Sequence, residues 1–314
     1  MPQSSYQNGL VSDWDLIVDD RGRGVMCGAA YDSSGKLIAE GLRRVPRIAP
    51  VQNVVRNQIT VDPESPFISG RWAYCGNWNH HFGHFITEAL TRTYVAGGDL
   101  NGIVYHPNRR GPSNFAIKTW QKTLLERAGV RVPVLIIDKQ VRFEELVVSE
   151  PQVVIEESVT ETAANVWARV SSDRNGQRRV FLSRSALTTK RPREAVNDNQ
   201  LDAEMEKLGF DVIHPEKLTI NEQLDVVAES GIIAGVSGSA LHLSAFSNSG
   251  LSVIELGDGR SRHRGLPTQS LIDEGSGNSH YFVPLIESDE AGARDINSTC
   301  ASVRDIVSTI ERDW

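Results

Sequence analysis

Hydrophobic positions along the first eighty residues come in short, interrupted runs. Residues 25–31 and 36–42 flank Asp32-Ser33-Ser34-Gly35, a pattern that predicts a β-hairpin. Pro46, Pro50, Pro63 and Pro66 then break the chain repeatedly, and residues 71–75 read as a short strand. From residue 83 the period lengthens. A helix is predicted from about His84 to Ala96, stopped by Gly97-Gly98, followed by a β-rich run over 102–106. Ser113 can cap a helix in which Ile117, Trp120, Leu124 and Ala128 recur at helical spacing, with Gly129 past its end. Residues 132–137 form a continuous apolar run, the type buried on both faces of a parallel sheet.

The second half alternates more clearly. Residues 179–182 read as a strand, followed by a helix with Leu201, Met205 and Leu208 on one stripe and Gly209 as its stop. Residues 210–213 form the next strand. Thr219 and Glu222 make a T-x-x-E capping box for a helix ending near Gly231. Residues 232–236 are a strand that leads through a Gly/Ser turn into a helix starting near Ala240, and residues 251–256 are another strand. This alternation predicts an α/β fold with a parallel, doubly wound sheet. A last helix carries Val303, Ile306, Val307, Ile310 and Trp314 on one face, so it must dock onto a core.

At 314 residues the chain is long enough for two domains. Its formal net charge of −7 argues against nucleic acid as a partner, since phosphate neutralisation needs a basic face. Cys27, Cys75 and Cys300 are not at metal-ligand spacing and read as reduced thiols. The N-terminus has neither a basic region nor an apolar run, and no stretch approaches a membrane span. These features predict a cytoplasmic protein with at most peripheral membrane contact, at the inner face.

The strongest local signal is Gly235-Val236-Ser237-Gly238-Ser239 between a strand and a predicted helix. Backbone N–H groups at a helix start suit a phosphate, Gly238 allows close approach, and the serines add donors. An unliganded tight turn has the same pattern. Two basic clusters follow strand ends: Arg178, Arg179, Arg184, Lys190, Arg191 and Arg193 after one, and Arg260, Arg262, His263 and Arg264 after another. Ligands of open α/β sheets sit outside the carboxyl ends of the strands, and guanidinium forks match phosphate oxygens. Arg184, immediately after its strand, is the leading candidate. Glu255 can accept from ribose hydroxyls or be a buried carboxylate paired to an arginine. In the first half, His84 and Glu88 share a helix face and can form or support a general base, or a surface pair. His80, His81 and His84 fit a zinc site poorly, and Asp13-Trp14-Asp15 matches a D-x-D triplet outside any β/α unit.

Three stretches carry a family likeness: G-N-W-N-H-H-F-G-H-F-I-T-E at 76–88, V-F-L-S-R-S at 180–185 with Arg193 and Asn197 beyond it, and I-N-E-Q-L at 220–224 leading to A-G-V-S-G-S-A-L at 234–241 and V-I-E-L at 253–256. Their combination and order resemble glycosyltransferase family 61, which includes capsular polysaccharide, xylan-decorating and O-linked N-acetylglucosamine transferases. The family pattern G-x-H-G-A becomes Gly235-Val236-Ser237-Gly238-Ser239, with serine replacing histidine and alanine. The resemblance implies a GT-B architecture, two Rossmann-like domains facing a cleft. The expected domains are an acceptor-side domain over 1–172, a nucleotide-sugar domain over 173–285, and a closing helix over 286–314 that packs back across them. It implies metal-independent, inverting transfer from a nucleotide sugar, expected to be a UDP-sugar, to a glycan or glycolipid, as in capsular or cell-surface polysaccharide synthesis. No bound cofactor is expected. His84 or Glu88 would be or orient the base. Ser183, Arg184, Arg193, Ser237, Gly238 and Ser239 would hold the diphosphate, with Gln223 and Glu255 as weaker contacts. Two other readings stand beside it: a serine hydrolase using Ser237 with Asp258 and His263, since the turn nearly matches G-x-S-x-G, and a non-catalytic nucleotide-sugar or glycan binder.

Overall fold

The structure, a computed structural model, describes residues 4–18, 24–44, 56–108, 116–172, 176–187, 197–248, 250–289 and 293–312. Ser113, Lys190, Arg191, Arg193 and Trp314 lie outside them. The chain divides into two compact units, Met1–Arg169 and Val170–Trp314.

The first unit contains the strands β1 (Ser5–Gln7), β2 (Leu10–Val11), β3 (Asp15–Val18), β4 (Gly24–Cys27), β5 (Ala30–Tyr31), β6 (Phe67–Trp78), β7 (Gly102–Pro107), β8 (Val134–Ile136), β9 (Val141–Val148), β10 (Val153–Val154) and β11 (Ser158–Val159). A seven-stranded mixed sheet runs in the order β5-β2-β9-β6-β7-β8, with β1 also paired to β9. Its β9-β6-β7-β8 portion is parallel, and β1, β2 and β5 add antiparallel pairings. Buried Trp72, Tyr74, Val104, Phe143, Leu146 and Val148 pack into its core.

Several sequence expectations shift here. The turn at Asp32–Gly35 forms, with Asp32 accepting from the Ser34 and Lys36 amides, but residues 36–42 contribute only isolated bridges and a short 3₁₀ turn. The segment Gly24–Cys27 pairs with Asp15–Val18 instead. The apolar run at 132–137 gives β8, whose side chains are half-buried because it is an edge strand of the sheet among the described residues. The predicted helix from His84 is not a regular α-helix. It is a single α-turn, α1 (Phe82–His84), then a π segment at Phe85–Ala89 and a 3₁₀ segment at Thr91–Val95. Thr87, Thr91 and Thr93 each return a hydroxyl to a carbonyl three or four residues back, which competes with and bends helical backbone. Two regular helices follow, α2 (Thr119–Arg127) and α3 (Glu161–Val170).

The second unit alternates β12 (Arg178–Leu182), α4 (Asp198–Lys207), β13 (Asp211–Ile213), α5 (Ile220–Ala228), β14 (Ser230–Val236), β15 (Ser252–Leu256), α6 (Pro267–Gly275), β16 (Ser279–Val283) and α7 (Ile296–Arg312). All its strand pairs are parallel, in the order β13-β12-β14-β15-β16. The Thr219–Glu222 capping box closes both of its bonds. Ile232 and Ala234 of β14 share a core with Leu201 and Met205 of α4 and Val303, Val307 and Ile310 of α7. Within the stretch 286–314, expected as a closing helix, α7 therefore docks on the second unit's own core. The link from β14 to β15 is not the expected helix from Ala240 but a six-residue 3₁₀ segment, Leu241–Phe246. So short a segment has little macrodipole, and the phosphate argument loses that support.

Candidate functional site

In the first unit, the bent helical segment after β6 sets His84 and Glu88 against each other. His84 Nδ1 lies 2.7 Å from Glu88 Oε2. Arg43, 45 positions earlier in the chain, closes on both oxygens of the same carboxylate, with Nη2 3.0 Å from Oε2 and Nε on Oε1. Burial alone would raise the Glu88 pKa, but the His84 hydrogen bond and the Arg43 charge outweigh it and hold the carboxyl at about 2. An ionised Glu88 accepts from both neighbours, so His84 Nδ1 is the donor and Nε2 is left as the acceptor. The pair can therefore take a proton at His84 Nε2, with Glu88 fixing the ring and balancing the positive charge that forms. Glu88 itself, held at so low a pKa, is a weak base. Arg43 gave no local signal in the sequence, because its partner is distant along the chain. Glu88 also lines a cleft with Arg43, Arg44, Arg92 and the amides of Asn77, Asn79 and Asn108.

In the second unit, sheet order reverses between β12 and β14, which leave their common centre in opposite directions. That reversal is the position where open α/β sheets bind ligands at their carboxyl edge. Arg184 follows β12 and the Ser237–Gly238 turn follows β14. Arg184 Nη1 reaches the Ser237 carbonyl at 3.4 Å, and Arg260, from the loop after β15, reaches the same oxygen at 3.2 Å. A side chain on Gly238 would put its Cβ 3.2 Å from Arg184 Nη1, so glycine keeps this approach open. Asp258, buried beneath the turn, holds Arg260 with contacts of 2.9 and 3.1 Å. Two guanidinium groups thus converge on one turn, and buried Asp258 pairs with one of them.

Other expected residues are placed differently. The Ser237 side chain is fully buried and donates to Glu255 at 2.6 Å, with Ser261 2.6 Å away. Glu255 is equally buried and takes His280 Nε2 at 3.1 Å on its other oxygen, so its partners are a serine and a histidine rather than an arginine. Ser183 faces Asp202 at 2.9 Å, and Gln223 donates to the Pro215 and Leu218 carbonyls. Ser239 remains half-exposed on the turn. Arg178 pairs with Asp211 and Glu229, Arg179 with Glu311, and Arg262 with Glu287, so these three serve surface ion pairs. Asp258 and His263 do not form a triad with Ser237. Its hydroxyl is sealed against a carboxylate, Asp258 holds Arg260, and His263 is exposed. Among the described residues no group of three or more His, Cys, Asp or Glu could hold a metal ion, and no helix is long and apolar enough to cross a membrane.

The family model described as Glycosyltransferase 61 matches residues 82–254, more than half of the chain. That match begins at the helical segment carrying His84 and ends at the residue before Glu255. A comparison with curated proteins gave no significant match.

Proposed function

The chain belongs to glycosyltransferase family 61, and from that premise we propose that it transfers a sugar from a nucleotide-sugar donor, a UDP-sugar, to a hydroxyl of a glycan acceptor. In this reading the units are the halves of a GT-B enzyme, with the acceptor held by the first and the donor by the second. The observation that carries the reading is the convergence of Arg184 and Arg260 on the Ser237–Gly238 turn at the point where sheet order reverses.

The acceptor hydroxyl gives its proton to His84 Nε2 as its oxygen bonds to the anomeric carbon. The bond from that carbon to the diphosphate oxygen breaks, and the electron pair leaves with the diphosphate. Attack from the face opposite the leaving group inverts the anomeric configuration. Glu88 is a positioning residue that stabilises the imidazolium. Arg184, Arg260 and the Gly238 backbone meet the charge on the leaving group, a preorganised electrostatic role that a divalent cation fills elsewhere. Ser237, whose side chain points into the protein, acts through its backbone. Arg193, Gln223 and Glu255 would act at most beside this core.

Incubation with UDP-sugars and a panel of glycan acceptors, with and without EDTA, tests the proposal. Transfer that persists in EDTA and inverts the anomeric centre by NMR is expected. Strict metal dependence or retention of configuration would overturn the proposed chemistry, and tight UDP-sugar binding without turnover would favour a non-catalytic binder. The Ser237 and Ser239 departures from the family pattern are what keep that second reading in play.

A further inference from the structure

The second unit holds a buried guanidinium that the proposed chemistry leaves unused. Arg294, in the segment just before α7, is 2% exposed. Its Nη2 donates to the Gly257 carbonyl at 2.6 Å, directly after β15. Its Nε and Nη1 are buried as well and meet no acceptor among the described residues. Arg92 in the first unit is also buried, but it donates to three backbone carbonyls. Asp198 and Asp258 are the carboxylates whose charge bears on Arg294, yet among the described residues neither forms an ion pair with it. Asp258 gives its carboxylate to Arg260 instead. Burial pulls the Arg294 pKa down from its ordinary value, although a guanidinium keeps its proton in a protein. The Asn197 side chain clamps the Arg294 backbone, donating to its carbonyl at 2.8 Å and accepting from its amide at 3.1 Å.

A buried cation with one neutral partner is unfavourable, and a water molecule would satisfy its N–H groups but not its charge. Its place gives the charge a use. Gly257 lies at the carboxyl edge of the sheet, where the Ser237–Gly238 turn also stands. Asp258 follows Gly257 and holds Arg260, and Arg260 reaches the Ser237 carbonyl that Arg184 also meets. A short run of contacts therefore joins Arg294 to the turn. The Asp258 charge is matched by Arg260, and buried Glu255 has His280 beside it, so the Arg294 charge is left over. In a low-dielectric interior such a charge acts across several ångströms. We propose that Arg294 is a buried positive charge set behind the anion seat of the second unit, and that its field raises the affinity of that seat for a nucleoside diphosphate without touching the ligand. The inference rests on the reading of that turn as the seat of the donor diphosphate.

Calorimetry on the full chain with UDP, UMP and inorganic pyrophosphate tests it. Arg294→Gln should weaken UDP and pyrophosphate by about tenfold, the effect of a unit charge roughly 10 Å away at an effective dielectric constant of about 20, and should weaken the less charged UMP by a smaller factor. Arg294→Lys keeps the charge and should bind all three within about threefold of the parent. Arg294→Met, neutral and of similar length, serves the same comparison should Arg294→Gln not fold. In an Arg260→Ala background the loss from Arg294→Gln should persist, whereas a residue that merely held the Arg260 loop would cost nothing further there. Parent-like binding by the neutral variants, equal losses in the lysine and neutral variants, equal losses for UMP and UDP, or no added loss beside Arg260→Ala overturns the proposal. If the parent chain binds UDP and pyrophosphate while one of these results holds, only this inference falls; if the parent binds neither, the functional reading falls with it.

Discussion

The first unit buries Glu88 against an imidazole and a guanidinium, whereas the second buries Asp273 against a hydroxyl and an amide. Asp273 accepts from Ser244 at 2.5 Å and from Gln269 at 2.9 Å. Burial dominates there, and the neutral donors offset only part of it, so its pKa rises to about 7. Burial acts in the same direction on Glu88, yet the charged neighbours win and hold it at about 2. Similar carboxyl groups thus become a permanent anion in one unit and a near-neutral acid in the other. The identity of the hydrogen-bond donors, more than depth, decides the difference. In the proposed chemistry the anion steadies a proton acceptor. The neutral-leaning acid belongs to an internal Ser244–Gln269–His242 network.

Removing the imidazole breaks this contrast most severely. His84→Ala should lower the transfer rate by about 10²–10⁴-fold, the usual contribution of a general base, with UDP affinity within twofold of the original. Initial rates and calorimetry read the two effects. Next in size is Arg260→Ala, which removes a cation and also strips buried Asp258 of its partner beside the turn. UDP binding should weaken by more than about tenfold, and adding Asp258→Asn should recover part of it. No recovery would mean that Asp258 plays no electrostatic part there.

Stability against pH reads the two carboxyl groups themselves. Glu88 binds fewer protons folded than unfolded between about pH 2 and the usual carboxylate value of 4.5. Its stabilisation is therefore complete above that window and fades as pH falls through it. Asp273 has the opposite sign. Its folded pKa of about 7 lies above the usual 3.8, so the folded state holds the extra proton and stability declines as pH rises between those values. Urea unfolding of Asp273→Asn should show a flatter dependence between pH 4 and 7 than the parent chain, by up to about 4 kcal/mol over the window. A parallel slope in both proteins would mean that Asp273 does not set this pH dependence.

Much of the second unit could be read from the sequence because its signals are local. The Thr219–Glu222 cap, the apolar strand at Ser230–Val236 and the stripe on α7 each announce themselves within a few residues. The first unit hid more. β9 leaves no clear apolar run because Glu144 and Glu145 interrupt it, and Glu145 takes its hydrogen bond from distant Arg71. β6 is longer than the run at 71–75 because Gly70 and Gly76, both at positive φ, sit within it. At the sites, residue type and position after a strand pointed to Arg184 and the turn. They could not show that the Ser237 side chain faces inward, or that Arg43 clamps Glu88, since both follow from contacts between distant segments. Arg193 lies outside the described residues.

The proposed function divides the labour between an anion seat in the second unit and a proton acceptor in the first. Calorimetric titration of UDP into Arg184→Ala and His84→Ala, side by side with the parent chain, tests it most directly. Arg184→Ala is expected to weaken UDP binding by about tenfold or more, as for a lost charged hydrogen bond, while His84→Ala binds it as the parent does. Equal affinities in all three proteins, or equal losses in both variants, would contradict it.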